Sequence, residues 1–214
     1  MKYIDIIRNS SYRGRPMLAK AGFDHFELSS EALHREFEIL STDDYEGNRV
    51  YERSIIFLFV TAVEELFPGV RVNVEHSISQ GLYIELVKGA GAPAKEIMAA
   101  EVDIHLKIKG RMQELVRRDL PVNKRIMSPE EAGKLFRERS YLDKAALFQT
   151  VAGDKEIAVY ELDGVYGSFY GALAPYTGYL DLFDLVKYKT GLVLLYPSLS
   201  EPHSVPVFYT QEKL

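Results

Sequence analysis

The glycine-rich segment at residues 89–95, Gly-Ala-Gly-Ala-Pro-Ala-Lys, is the first stretch whose composition suggests chemistry. Backbone N–H groups of such a loop can bind the oxygens of a phosphate. A P-loop, however, has a glycine directly before its lysine and a serine or threonine directly after it. Lys95 follows Ala94 and precedes Glu96, and Pro93 has no N–H to donate. We therefore interpret the segment as a connection between elements and not as a phosphate site.

Basic side chains are concentrated between Lys107 and Arg125, where seven lysines and arginines stand against Glu114 and Asp119 alone. A local basic patch of this kind can contact the phosphates of a nucleic acid. The solvated face of an amphipathic helix has the same composition. We prefer the second interpretation.

Composition excludes several classes of chemistry. The 214-residue chain has no cysteine, which excludes disulfides, thiolate zinc sites and a cysteine nucleophile. Its formal net charge of −5 gives the chain no overall attraction for nucleic acid. The N-terminus is charged throughout and is unlike a signal peptide, so we expect a cytoplasmic protein. Four histidines are scattered without the spacing of metal ligands: His25, His34, His105 and His203.

The elements that position any site are organised around the segment from Tyr51 to Leu86. Between Ile55 and Val63 the only polar residue is Thr61, which predicts a helix buried on nearly all sides. Pro68-Gly69 ends this helix. Two strands are predicted after it, Val70–Glu75 and Leu82–Val87. The pattern predicts an α+β fold in which an antiparallel sheet wraps around a buried central helix.

Residues 1–48 are predicted to form a small N-terminal α+β unit. Apolar residues at 3–7 and 23–28 predict two strands, and Ser30 is predicted to cap a short helix that ends at His34. The polar segment from Ser41 to Arg49 is typical of a joint, and we place it before the central helix.

Downstream, helices are predicted at residues 99–116, 129–139 and 141–151. The second has the strongest signal, because Ser128, Pro129 and Glu131 together form a capping box with proline at the first helical position. The third is predicted to be capped by Ser140 or Asp143. Strands are predicted at residues 122–127, 157–162, 164–170, 179–188 and 192–196, with a hairpin turn at Asp163-Gly164.

Four stretches resemble a known family in the same order: RSIIFLFVTAVEELFP, ISQGLYIEL, RMQELVRRDLPVNKRIMSPEEAGKLF and YGALAPYTGYLDLFDL. They are similar to the second N-terminal domain of threonyl-tRNA synthetase, the editing domain shared with alanyl-tRNA synthetases. They are still more similar to the N-terminal half of bacterial uridine-kinase-like nucleoside kinases, in which a TGS domain and this synthetase-like domain precede a P-loop kinase. The resemblance covers residues 37–214. It implies an altered TGS-like unit at 1–48, an editing-like domain at 49–200 and a linker at 201–214 toward a kinase domain.

The resemblance also implies where editing chemistry would reside. The family's domain uses two histidines spaced HxxxH on the central helix, which correspond to Arg53 and Phe57, and a cysteine–histidine pair, which corresponds to Phe169 and Leu173. The two phenylalanines and the leucine can neither bind metal nor move a proton. The groups left as cleft candidates for binding a ligand are Arg53, His76, Ser77, Tyr83, Tyr170, Tyr176 and Thr177.

These candidates have structural alternatives. Arg53 can fork onto a phosphate or carboxylate of a ligand, or it can pair with Glu52 or a neighbouring acid and fix the start of the helix. His76 is more typical of a hydrogen-bonded residue at a strand end than of a ligand contact. The tyrosines are more typical of core and rim packing than of a surface on which bases stack.

We expect a non-catalytic accessory region of a uridine-kinase-like nucleoside kinase, which regulates the kinase domain of the same protein or binds RNA or a nucleotide. The sequence has no GxxxxGK[ST] motif, so ATP and Mg²⁺ are expected only in that kinase domain. Two alternatives remain open at this point. One is a trans-editing hydrolase that acts on mischarged tRNA, and the other is a module for homodimerisation.

Overall fold

The computed structural model describes residues 1–8, 12, 14–88, 92–93, 103–150 and 156–209. Most of the glycine-rich segment, the start of the helix predicted at 99–116 and the end of the helix predicted at 141–151 lie outside the described residues. The elements in chain order are α1 (Tyr3–Ile7), β1 (Pro16–Ala21), β2 (Asp24–Glu27), β3 (Glu38–Ser41), α2 (Tyr45–Leu66), β4 (Val70–Ile78), β5 (Gly81–Lys88), β6 (Ala92–Pro93), α3 (Ile104–Arg118), β7 (Asn123–Met127), α4 (Pro129–Glu138), α5 (Leu142–Gln149), β8 (Ile157–Leu162), β9 (Val165–Ser168), a 3₁₀ turn (Thr177–Tyr179), β10 (Asp184–Tyr188) and β11 (Gly191–Leu195).

The central helix α2 carries the core. Seven of its apolar side chains are fully buried: Val50, Tyr51, Ile55, Leu58, Phe59, Ala62 and Val63. The helix begins at Tyr45, inside the segment predicted as a polar joint. Its polar first turns are held by the surrounding chain, since Asp44 accepts a hydrogen bond from Ser41 N and Asn48 donates to Pro197 O. Within the described residues, no helix is long and apolar enough to cross a membrane.

The main sheet packs on α2 and has the strand order β10-β11-β5-β4, with β6 paired to β5. All of its strand pairs are antiparallel. Alternate side chains of β5 and β11, such as Ile84 and Leu194, belong to the core that contains α2. Their neighbours Tyr83 and Val193 point to the opposite face, where Phe208 packs against the same cluster. The predicted α+β fold, with antiparallel strands around a buried helix, is confirmed.

Two predictions for the N-terminal region are wrong. Residues 3–7 form helix α1 instead of a strand, because Lys2 N donates to Asp5 Oδ2 at 3.0 Å and Tyr3 and Ile7 bury one face. No helix runs from Ser30 to His34, since the Ser30 hydroxyl donates to Glu27 O at 2.6 Å and closes a turn after β2. Strands β1–β3 form an antiparallel sheet whose order is β2-β1-β3. The division of the chain at residue 48 remains a prediction.

The third sheet has the order β7-β8-β9 and packs against α4 and α5. The predicted capping box is confirmed, as Glu131 N donates to Ser128 Oγ at 3.2 Å and Ser128 N donates to Glu131 Oε2 at 2.9 Å. The prediction that Ser140 or Asp143 caps the next helix is wrong, because Tyr141 is the N-cap residue and makes no side-chain capping bond. Asp143 instead pairs with Arg71 of β4.

Two predicted strands are shorter than expected. Strand β9 ends at Ser168, where the chain turns so that Phe169 and Leu173 pack toward α2. The strand predicted from Tyr179 begins only at Asp184, because Tyr179 ends the 3₁₀ turn and residues 180–183 belong to neither helix nor strand. The hairpin turn at Asp163-Gly164 is confirmed, with φ of 48° and 87° at the two residues.

Candidate functional site

A cavity of about 540 Å³ lies between the N-terminal sheet and the start of helix α2. We call it the Arg53 cleft. It is larger than two other cavities of the described chain, which measure about 340 and 200 Å³. Its lining consists of Leu18, His25, Phe26, Glu27, Ser30, Glu46, Arg53, Lys124, Ile126, Gly171 and Ala172.

The guanidinium of Arg53 is held from one side. Its Nε donates to the carbonyl oxygen of Ala172 at 3.1 Å, which fixes the plane of the group and leaves its two terminal nitrogens toward the cleft. Burial lowers the pKa of Arg53 below its ordinary value, with a smaller contribution from the charge of Arg49, and the group stays protonated at neutral pH. Among the described residues, no carboxylate lies within salt-bridge distance of Arg53, so a direct pair with Glu52 or a neighbouring acid is not formed, although the charges of Glu46 and Glu52 oppose the lowering of its pKa from a distance.

The four positions that correspond to the family's editing residues meet beside this cleft. The rings of Phe57 and Phe169 have centroids 5.2 Å apart, and Leu173 is buried in the same core. Arg53 lies one helical turn from Phe57 and bonds to Ala172, the neighbour of Leu173. Of the four positions that the resemblance assigns to the editing residues, three are filled by apolar side chains. This part of the site can exclude water and cannot activate it.

A second polar group of the cleft joins three separate elements. Glu27 of β2 accepts a hydrogen bond from Lys124 Nζ of β7 at 2.9 Å, and the hydroxyl of Tyr160 on β8 donates to the same oxygen. The Tyr160 hydroxyl also lies 2.9 Å from the carbonyl oxygen of Gly171. Burial, followed by the charge of Glu27, raises the pKa of Tyr160 far above its ordinary value. Tyr160 is therefore a neutral donor at physiological pH.

Of the seven candidates from the sequence, Arg53 alone lines the cleft. His76 and Ser77 are exposed on β4, and the ring of His76 lies 5.4 Å from that of Tyr83 on the outer face of the main sheet. Tyr176 lines the separate 340 Å³ cavity. Thr177 is fully buried and structural, because it accepts from Leu120 N and donates to Leu115 O.

Tyr170 precedes the cleft residue Gly171 but projects into solvent, with 97% of its surface exposed. His76 and Tyr170 are therefore not held against Arg53 by any contact of the described structure. Within the described residues, no group of three or more histidine, aspartate or glutamate side chains is arranged to hold a metal ion.

Sequence reasoning missed Glu27, Glu46 and Lys124. Glu27 and Lys124 are 97 residues apart, and neither belongs to a motif. Glu46 was assigned to a polar joint, because the helix was expected to begin after it. The one signal that could have found Glu46 is its spacing, since it stands seven residues before Arg53 and thus on the same side of a helix.

Comparison with known proteins identifies similar chains. A segment of 152 residues, 71% of this chain, is 33% identical to the threonine–tRNA ligase of Marinobacter nauticus, of which it covers 22%. Over the same length, identity is 28% to the threonine–tRNA ligase of Carboxydothermus hydrogenoformans and 29% to that of Methylobacillus flagellatus, with 23% of each enzyme covered. No family model matches the chain.

The chain thus spans less than a quarter of the length of these relatives. The resemblance to threonyl-tRNA synthetase is confirmed at this level, together with an α+β fold consistent with its editing domain. None of the relatives named here is a kinase, and the resemblance to uridine-kinase-like proteins remains a prediction.

Proposed function

We propose that this chain is a tRNA-editing-like domain that binds the aminoacylated 3′ end of a tRNA in the Arg53 cleft. The similarity to threonine–tRNA ligases over 152 residues supports a ligand of this class. The size of the cleft, about 540 Å³, suits one nucleoside with an attached amino acid. The proposed ligand lies between the N-terminal sheet and α2, because residues from both line the cleft.

The observation that carries this proposal is that the guanidinium of Arg53 has no direct ion-pair partner among the described residues. Its Nε is bonded to Ala172 O, and no carboxylate of the described residues is in salt-bridge contact with it, although the charges of Glu46 and Glu52 act on it from a distance. A half-buried guanidinium without a counter-ion attracts a phosphate more strongly than an exposed one does. The tRNA end supplies such a phosphate beside its terminal nucleoside. Arg53 thus takes the place of a catalytic histidine and serves binding.

Binding without the family's hydrolysis follows from the residues beside Arg53. Phe57, Phe169 and Leu173 offer no nucleophile, base or metal ligand. Glu27 is the nearest buried carboxylate of the cleft, but its Oε1 already accepts from Lys124 and Tyr160. Glu27 Oε1 is thus already engaged with protein groups on two other strands.

The proposal is tested with a short RNA hairpin that ends in CCA and carries an amino acid through a stable amide bond. Affinity is measured for the wild type, for Arg53→Met and for Arg49→Met, a matched control on the same helix that lies outside the cleft. We expect Arg53→Met to weaken binding about tenfold, the effect of losing one charge-assisted contact, and Arg49→Met to change it less than about twofold. Equal affinity of wild type and Arg53→Met, or no binding to the wild type, would contradict the proposal.

A second candidate is a trans-editing hydrolase, which removes a wrong amino acid from tRNA. The similarity to synthetases, which extends over 152 residues, favours it as strongly as it favours binding alone. Release of amino acid from mischarged tRNA decides between the two. We expect the protein to give no acceleration over buffer. If the wild type still accelerates the release of amino acid after contaminating enzymes have been removed, and Arg53→Met does not, the hydrolytic proposal replaces the binding proposal.

The kinase-associated role gains no support from the relatives named above. A kinase domain in the same protein, a nucleotide ligand and a homodimer remain predictions. The homodimer can be examined by gel filtration with light scattering, and the nucleotide ligand by titration.

A further inference from the structure

Two charges of opposite sign lie on one side of helix α2 and line the Arg53 cleft. Glu46 is in the first turn of the helix, and Arg53 follows seven residues later. A separation of seven residues places two side chains on the same face, roughly 10 Å apart along the axis. The cleft therefore presents a negative charge at one end of this helix face and a positive charge at the other.

Neither charge is neutralised by a contact of the described residues. The described salt bridges include none to Glu46 or to Arg53, although both side chains are half-buried. The other charges of the cleft are already matched, since Lys124 pairs with Glu27. Glu46 and Arg53 attract each other across the cleft, but neither makes a direct ion pair among the described residues. Half-buried charges without a direct partner are unfavourable for the free protein, and a ligand that supplies a counter-charge to each relieves this cost.

The required ligand has a cation and an anion separated by about the length of a nucleoside. An aminoacylated nucleotide has this pattern, because its α-ammonium group stands at the acyl end and its phosphate on the other side of the ribose. An ester carbonyl can accept a hydrogen bond from Arg53 but supplies no counter-charge. We infer, resting on the proposed function, that Glu46 binds the α-ammonium group of the attached amino acid while Arg53 binds the phosphate.

This assignment makes Glu46 the residue that distinguishes a free α-amino group from a blocked one. The competing carboxylate is Glu27, but its Oε1 is occupied by Lys124 and Tyr160. His25 lies at the exposed mouth of the cleft and has no acceptor charge to offer an ammonium ion. Glu46 is therefore the carboxylate of the lining that remains open to the ligand.

The test uses the amide-linked RNA hairpin in two forms, with the α-amino group free or acetylated. Affinities are measured for the wild type, for Glu46→Gln and for Asp24→Asn, a control that removes one exposed negative charge near the cleft without altering its lining. We expect the wild type and Asp24→Asn to prefer the free amine about tenfold, and Glu46→Gln to lose this preference. Circular dichroism is used to check that the variants are folded.

The wild-type comparison alone can overturn the inference, whatever the folding of the variant. If the wild type binds both forms equally, the proposed function stands and the role of Glu46 is refuted. If a folded Glu46→Gln keeps the preference, another group binds the ammonium ion and the assignment is wrong. If the wild type binds neither form, the proposed function itself fails.

Discussion

Lys124 Nζ lies 2.9 Å from Glu27 Oε1, and this ion pair joins two strands that are 97 residues apart in the chain. Tyr160 donates to the same carboxylate, of which only a small part is exposed. Arg15 makes a second ion pair between the N-terminal region and the rest of the chain, with Asp181. The wall of the Arg53 cleft is thus held in place by polar contacts, and the geometry of the cleft depends on them.

Glu27→Gln should lower the free energy of unfolding by about 1–2 kcal/mol, because it removes the charge from two hydrogen bonds in a nearly buried position. Lys124→Met should cost less, since the lysine is partly exposed. The two effects should be less than additive, because each substitution removes the same pair. Urea denaturation of both single variants and the double variant measures the coupling. Fully additive effects would show that the pair contributes nothing to stability.

Leu58→Ala should lower the free energy of unfolding by about 2–5 kcal/mol, the range for a leucine truncated in a packed core. Leu58 is fully buried on the central helix, whereas Leu66 of the same helix is 37% exposed. Leu66→Ala is therefore the matched control and should cost about 1 kcal/mol or less. Chemical denaturation checks both values. Equal destabilisation by the two substitutions would place Leu58 at the surface and contradict the described core.

The central helix and the hairpin after it were predictable because their apolar patterns are long and unambiguous. Helix α1 was not, since five residues are too few for propensity to decide and its formation depends on burying Tyr3 and Ile7. The faces of β5 were also beyond the sequence. Both sides of this strand are covered, so the sequence does not say that Ile84 faces the helix and Tyr83 the outer cluster.

The candidate site was predictable from the sequence only at the position that corresponds to an editing residue of the resembling domain. Arg53 was found because its position in the central helix corresponds to a histidine of the editing family. The other residues that line the cleft with Arg53 come from β2, β7 and the loop after β9. Tertiary packing alone brings Glu27, Lys124 and Gly171 together there. His76 and Tyr83 were also named as cleft candidates, but they lie on the outer side of the sheet.

Gly171→Ala should disturb Arg53 directly. A Cβ atom at Gly171 would lie 3.1 Å from the Cζ atom of Arg53, and the backbone there has φ of +99°. Gly164 has a similar φ of +87° but nothing within 4 Å of such an atom, so Gly164→Ala reports the backbone strain alone, about 1 kcal/mol. We expect Gly171→Ala to be the more destabilising of the two and to weaken binding of the acylated RNA. Equal stability of both variants would mean that Arg53 moves aside freely.

Glu131 should make the stability of helix α4 depend on acid pH. Its carboxylate accepts the Ser128 N–H at 2.9 Å, and this bond lowers the pKa of Glu131 in the folded protein. The stabilising contribution is therefore complete above the unfolded-state pKa, about 4.3, and is lost as the pH falls through the folded-state pKa. Glu131→Gln keeps an acceptor at this position but has no charge to titrate. Melting temperatures from about pH 6 down to about pH 3 should fall more steeply for the wild type than for Glu131→Gln. The control is Glu130→Gln, on the same turn but outside the capping box, which should follow the wild type. Parallel curves for the wild type and Glu131→Gln would refute a role of the charge in this cap.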